Sequence, residues 1–114
     1  MNKNIVNLTS KMICIVDEDG NVIHQIRPEG HVVSCDIIPT LIEEIDGIKV
    51  VNYCYGNVIG LPACKPGVTL IVTFAVLQAL NNSRADVVAP DTAPTSIIRD
   101  GNRNILGVKR LRKL

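Results

Sequence analysis

Aromatic residues are nearly missing from this chain of 114 residues: Tyr53, Tyr55 and Phe74 are the only three, and there is no tryptophan. An interior built without rings must be aliphatic, and a wealth of β-branched residues favours strands. Close cysteine pairs are missing too. Cys14, Cys35, Cys54 and Cys64 form no C-x-x-C pair, and only His24 and His31 are available to join them. The paired ligands of a structural zinc centre are therefore lacking. The cysteines read as reduced, buried, small hydrophobes. No apolar run approaches the roughly 20 residues that span a bilayer, and no secretory leader pattern opens the chain. The expectation is a cytoplasmic protein without a membrane partner.

Catalytic patterns are also wanting. There is no P-loop, G-x-G-x-x-G, G-x-S-x-G or EF-hand pattern. Hydrolases and transferases need a nucleophile, a base and a group to orient the base. His24 and His31 are the natural bases, yet both fall near turns with no Ser or Cys in a recognisable motif beside them. Asp17 and Asp19 belong to a turn, where Asp is favoured for backbone reasons, and Glu43 with Glu44 reads as a solvated face. No catalytic residue, metal or cofactor is assigned. The inventory suits a protein that binds something rather than converts it.

What is present is aliphatic and unevenly charged. Hydrophobic residues make up 46% of the chain, an ordinary globular share, and the length fits a single domain over 1–114. Net charge is +1, but residues 1–46 hold eight acidic and three basic side chains. Residues 99–114 hold Arg99, Arg103, Lys109, Arg110, Arg112 and Lys113 against Asp100 alone. That stretch either faces anions or forms a solvated basic tail.

The pattern predicts about eight short strands around one helix. Strands are expected over 4–8 and 12–16, then over 21–26 after a turn at Asp17–Gly20, with Gly20 at positive φ. Residues 31–38 read as a strand ended by Pro39, and 39–47 shows helical spacing of Leu41, Ile42 and Ile45. Residues 48–55 read as a strand with Tyr53 and Tyr55 on one face, and 57–61 as a second strand after Gly56. A buried strand over 69–72 leads to Thr73 as N-cap of a helix over about 73–82. VVAP (87–90) is a short strand. A last hairpin joins 95–99 to 104–108 through Asp100-Gly101-Asn102. The fold class is α+β, with a mainly antiparallel sheet.

The segment PDTAPTSIIRDGNRNILG (90–107) stands out. Asp91, Thr92, Thr95 and Ser96 offer short polar side chains, and Arg99 and Arg103 flank a tight turn. Guanidinium groups pair bidentately with phosphate oxygens, so the segment suits a phosphate-bearing ligand; the alternative is a proline-pinned loop beside a charged hairpin. A base or ribose would also need an apolar platform, and Tyr53, Tyr55 and Phe74 are the only rings on offer. Those rings serve equally well in a core or capping an edge.

Taken in order, the motifs resemble a family. Ile5-Val6-Asn7-Leu8-Thr9 with ICIVDEDGNVI (13–23), GIKVVNYCYGNVIGLP (47–62), PGVTLIV (66–72), DVVAPDTAPTSIIRDGN (86–102) and ILGVKRL (105–111) are similar to small phage and prophage proteins of the anti-defence sponge kind. The resemblance covers nearly the whole chain and points to the first Thoeris anti-defence family, related to sponges that act against CBASS. It implies a small β-rich protein in the host bacterial cytoplasm, assembled as a dimer or higher homo-oligomer. Such a protein sequesters a cyclic ADP-ribose isomer or cyclic oligonucleotide without cleaving it, and nucleic acid is not an expected partner. Arg99 and Arg103 would contact phosphate, with Asp91, Thr92 and Thr95 beside them. The chain departs from the pattern at Thr9-Ser10-Lys11, where Pro-His is common, and at Thr92-Ala93-Pro94, where Thr-Gly-Pro is common. A nucleic-acid-binding regulator using 109–113, an oligomeric structural protein and a phosphodiesterase-like enzyme are the competing readings.

Overall fold

A computed structural model describes residues 4–114. Its order is β1 (Asn4–Asn7), β2 (Ile13–Val16), β3 (Val22–Ile26), β4 (Ser34–Ile45), β5 (Ile48–Ile59), β6 (Val68–Ile71), α1 (Phe74–Leu80), β7 (Val87–Pro90), β8 (Ile97–Arg99), β9 (Ile105–Val108) and β10 (Leu111–Arg112). Mostly strands with one helix, it is an α+β fold. The helix begins at Thr73, whose hydroxyl accepts from the Val76 N–H, and ends at Asn81 in the left-handed region. The expected turn at Asp17–Gly20 is present, with Gly20 at φ 84° and Asp17 Oδ1 accepting from the Asp19 and Asn21 N–H groups.

One four-stranded sheet runs β1-β6-β7-β10 and a second runs β3-β2-β9-β8. The pairs β7–β10, β2–β3, β4–β5 and β8–β9 are antiparallel, as expected of a mainly antiparallel fold, but β1 with β6 and β6 with β7 are parallel, so the first sheet is mixed. The β6–α1–β7 crossover requires this, because parallel neighbours need a long connection that a helix supplies. Side-chain alternation then divides the core. Leu70, Val72, Val87 and Ala89 face one way and join Leu8, Val33, Val76 and Leu77. Ile71 and Val88 face the other way and join Ile13, with Ile15, Ile26 and Leu111 at the margin. The first sheet is thus a middle layer, with α1 on one side and the second sheet on the other. Burial on both faces explains why 70–72 and 87–89 are uninterrupted apolar runs rather than alternating ones.

The expected helical spacing over 39–47 is instead part of a long ribbon, in which β4 pairs antiparallel with β5 from Ser34↔Ile59 to Ile45↔Ile48. An irregularity between Leu41 and Glu43 inserts Ile42 and breaks the two-residue alternation, which produces helix-like spacing in the sequence. Pro39 does not end β4, because each strand of a two-stranded ribbon has an outer edge without a ladder partner. Residues 48–55 and 57–61 are likewise not two strands: β5 runs through Gly56, with Asn57 at φ 50°. The extended segment before β4 lies on β1, where the Val33 N–H donates to the Leu8 carbonyl at 3.0 Å. The cysteines are free but none is buried: Cys14 and Cys35 are half-buried, Cys54 and Cys64 exposed. No helix among the described residues is long and apolar enough to cross a membrane.

Arg84 fixes the entry to β7. Its Nε and Nη2 each donate to one oxygen of Asp86 at 2.8 Å, and Nη2 also reaches the Pro62 carbonyl at 3.0 Å. Hydrogen bonding from this guanidinium holds the Asp86 carboxyl below its ordinary value of 3.8. A carboxyl depressed in the folded state stabilises above its unfolded pKa, and that contribution is lost as pH falls through the folded one. Asp86→Asn should therefore lose about 1 kcal/mol at pH 7 and show a flatter decline of Tm below about pH 4 than the parent. Melting curves from pH 7 to pH 2.5 check this.

Candidate functional site

In open sheets with parallel strands, ligands bind in the crevice outside the strands' carboxyl ends. Here β1 leads into Thr9-Ser10-Lys11, β6 into Thr73-Phe74, and β7 ends at Pro90 ahead of Thr92. These residues, with Ile13 as an apolar floor, line one cavity of about 360 Å³. Thr92 also lines a second cavity of about 390 Å³, with Pro94, Ile97 and Arg99. Each lies within the usual 300–1,000 Å³ range of small-molecule sites. A larger concavity, of about 720 Å³, lies along β1 and β3 and is lined by none of the expected site residues.

Asn7 shapes the first crevice from below. It is buried, and its Nδ2 donates to the carbonyls of Lys11 at 2.8 Å and Ile26 at 2.9 Å. Its Oδ1 accepts from the Thr9 N–H at 2.9 Å and the Thr9 hydroxyl at 2.6 Å. All four hydrogen-bonding positions of the amide are filled, which pins the Thr9–Lys11 turn and leaves the Lys11 side chain exposed. Phe74 lines the cavity, and the Arg112 guanidinium carbon lies 4.6 Å from the centroid of its ring, a cation–π distance. Phe74 still leaves 38% of its surface open.

The expected loop is supported from the C-terminal side. Asp91 Oδ2 accepts from Arg110 Nε at 2.7 Å and Oδ1 from the Ala93 N–H at 3.1 Å. The Ala93 N–H first, then the Arg110 guanidinium, lower the Asp91 pKa. Arg110 Nη2 donates to the Thr95 hydroxyl at 2.8 Å. Ser96 is fully buried, and its hydroxyl accepts from the Lys109 N–H at 3.1 Å. Asp91, Thr95 and Ser96 thus hold the loop on the C-terminal strand, while Thr92 and Arg99 face the cavities. Arg99 Nη1 donates to the Arg103 carbonyl at 2.9 Å, and Asp100 Oδ1 closes the turn by accepting from the Asn102 and Asn104 N–H groups. Arg103 sits on that turn at φ 65° and lines neither cavity.

Of the three rings, only Phe74 belongs to the crevice. Tyr53 and Tyr55 lie on the β4–β5 ribbon and line neither cavity. His31 bonds the Gly60 carbonyl at 2.6 Å and borders a separate cavity with Glu29, Lys65 and Asp86. His24 lies exposed on β3. Sequence reasoning missed Thr9, Ser10, Lys11, Thr73 and Arg112. The available signal was an apolar strand followed by threonine at three places, Leu8-Thr9, Val72-Thr73 and Ala89-Pro90-Asp91-Thr92.

Lys11 and Arg99 have no salt-bridge partner among the described residues; the ion pairs join Arg84 to Asp86, Lys109 to Glu18 and Arg110 to Asp91. Comparison with protein-family models, curated proteins and solved structures finds no match for this chain. The functional reading therefore rests on the crevice itself and on the motif resemblance.

Proposed function

We propose that this protein binds a phosphate-bearing cyclic nucleotide-type signal, a cyclic ADP-ribose isomer or a cyclic oligonucleotide, and sequesters it uncleaved as a phage- or prophage-encoded anti-defence protein. The observation that carries the reading is that Lys11 and Phe74, the latter stacked on Arg112, line one cavity and Arg99 another, and that the two cavities share Thr92. Cations without carboxylate partners suit phosphate oxygens, the ring edge suits a base, and threonine hydroxyls suit ribose or phosphate. A stoichiometric binder needs affinity and no proton shuttle, in keeping with side chains that position and neutralise.

The basic C-terminal segment is less suited to nucleic acid than its charge indicates. Lys109 pairs with Glu18, Arg110 with Asp91, Arg112 lies over Phe74, and Lys113 Nζ donates to the Ala85 carbonyl at 2.8 Å. These cations are engaged by the fold itself.

A panel of cyclic dinucleotides, cyclic trinucleotides and cyclic ADP-ribose isomers, scored by thermal shift, tests the proposal. A ligand at a hundred times its Kd should raise Tm by about 10 °C. Lys11→Ala and Arg99→Ala should each weaken binding by about thirtyfold, the loss of one charge-assisted hydrogen bond. Heating the complex should release the ligand intact. No shift with any compound, or release of a cleaved product, would overturn the reading.

A further inference from the structure

The face of the central sheet that carries α1 is only partly covered by it. The helix has seven residues and packs mainly on β5, β4 and β7, so the half made by β1 and β6 is left to loops. In their parallel register Asn4 lies beside Val68 and Val6 beside Leu70, and by alternation Val6, Leu8, Val68 and Leu70 fall on one face. These four side chains floor a cavity of about 350 Å³, whose walls come from Glu29 and His31 and from Pro62, Ala63 and Lys65. Leu8 and Leu70 are buried, while Val6 and Val68 are half-buried. The volume is at the low end of the range for small-molecule sites.

The walls are held in place. The Glu29 N–H donates to the Asn7 carbonyl on β1 at 2.9 Å. His31 Nε2 donates to the Gly60 carbonyl at 2.6 Å, and a β-carbon at Gly60 would stand 3.1 Å from the same ring. Arg84 holds the Pro62 carbonyl at 3.0 Å, and the Lys65 carbonyl accepts from the Val68 N–H at 3.2 Å. Walls fixed before binding leave little ordering to be done by a ligand.

The charges define what fits. Both oxygens of Asp86 are taken by Arg84, and His31 is taken by Gly60. Glu29 and Lys65 have no ion-pair partner among the described residues, and they do not pair with each other. One anionic and one cationic group above an aliphatic floor complement an ammonium, a carboxylate and a short apolar chain. A phosphate would meet Glu29 and Asp86, and no ring lines this cavity to stack on a base. We propose that the cavity is a second ligand site, separate from the crevice, and that it takes a free aliphatic α-amino acid. Glu29 accepts from the ammonium, Lys65 donates to the carboxylate, and the ligand side chain covers Val6 and Val68.

Isothermal titration of the full chain with leucine tests this and involves no nucleotide. Arg99→Ala should leave leucine binding unchanged, which keeps the outcome distinct from that of the crevice assay. N-acetylleucine and leucinamide, each lacking one charge, should bind about tenfold more weakly than leucine. Lysine and aspartate, whose charged side chains would lie on the apolar floor, should not bind. Glu29→Gln should weaken leucine about tenfold and abolish its advantage over N-acetylleucine. Lys65→Met should do the same relative to leucinamide. Both side chains are exposed, so each variant should keep the parent's circular dichroism spectrum. In the wild type, leucine should shift amide NMR signals at 6–8, 29–31 and 62–68, a readout that needs no variant. No binding of leucine, isoleucine or valine at about 10 mM, or shifts confined to other residues, would overturn the proposal. So would leucinamide bound as tightly as leucine, the mark of a peptide amino terminus, or N-acetylleucine bound as tightly, the mark of a carboxyl terminus.

Discussion

Replacing Asn7 with leucine should lower the unfolding free energy by about 3 kcal/mol. The side chains are similar in size, so the loss is not one of volume. It follows from two backbone groups that lose their partner, the Ile26 carbonyl and the Thr9 N–H, and from the Lys11 carbonyl, which keeps only the Thr9 hydroxyl. Each unpaired buried group costs about 1–3 kcal/mol, and the Lys11 carbonyl, on an exposed residue, is the most easily re-solvated. Urea denaturation should show a lower midpoint with an unchanged slope, the mark of altered stability rather than altered compactness. The same variant should bind any crevice ligand more weakly than Thr73→Ala does, because it frees the whole Thr9–Lys11 wall. An undiminished midpoint would mean that the four hydrogen bonds of this amide contribute nothing net.

Gly107→Ala should cost a similar amount, about 3 kcal/mol, at the upper end for overpacking. A β-carbon at Gly107 would collide with the Cys14 carbonyl oxygen and lie 3.0 Å from a methyl of Val16. Neither neighbour can withdraw. The carbonyl belongs to the β2 backbone, and Val16 is buried at 1% exposure. This is the point where β9 runs beside β2, pairing Val108 with Ile15, and the second sheet closes only because one strand lacks a side chain there. Gly56→Ala is the matched control. Nothing lies within 4 Å of its added carbon, and its effect should stay within about 0.5 kcal/mol.

Local chemistry makes several elements legible in the sequence. The Asp17–Gly20 turn, the capped helix after Thr73, the apolar runs at 69–72 and 87–90, and the Asp100–Asn102 turn each depend on residues a few positions apart. The pairing of β1 with β6 depends on residues more than sixty positions apart, and no local signal marks it. With it went the parallel direction of the central sheet and the crevice at its carboxyl end. The ribbon was misread for a different reason. Its extra residue at Ile42 and the left-handed Asn57 each offset the alternation by one, so a pair of long strands looked like a helix and fragments. At the site, Thr92, Arg99 and Phe74 were legible as chemistry. Lys11 was not, since a lone lysine on a loop becomes notable only when Phe74 and Thr92 are brought opposite it. Tyr53 and Tyr55 are legible as rings, but their place on the ribbon leaves them outside both cavities.

The central sheet also sets an order of events in time. Its middle, β6–α1–β7, comes from one unbroken stretch, Val68–Pro90, and closes through local contacts. Its two outer strands are Asn4–Asn7 and Leu111–Arg112, the first and last strands of the fold. Contacts between distant segments form late, because loop-closure entropy must be met before they repay it. On the ribosome, β1 has no partner until Val68 follows, and the edge beyond β7 stays open until Leu111 emerges. In the nascent chain, the Val68–Pro90 unit therefore waits with its flanks uncovered, and the docking of β1 and β10 onto it should be slower than its own closure.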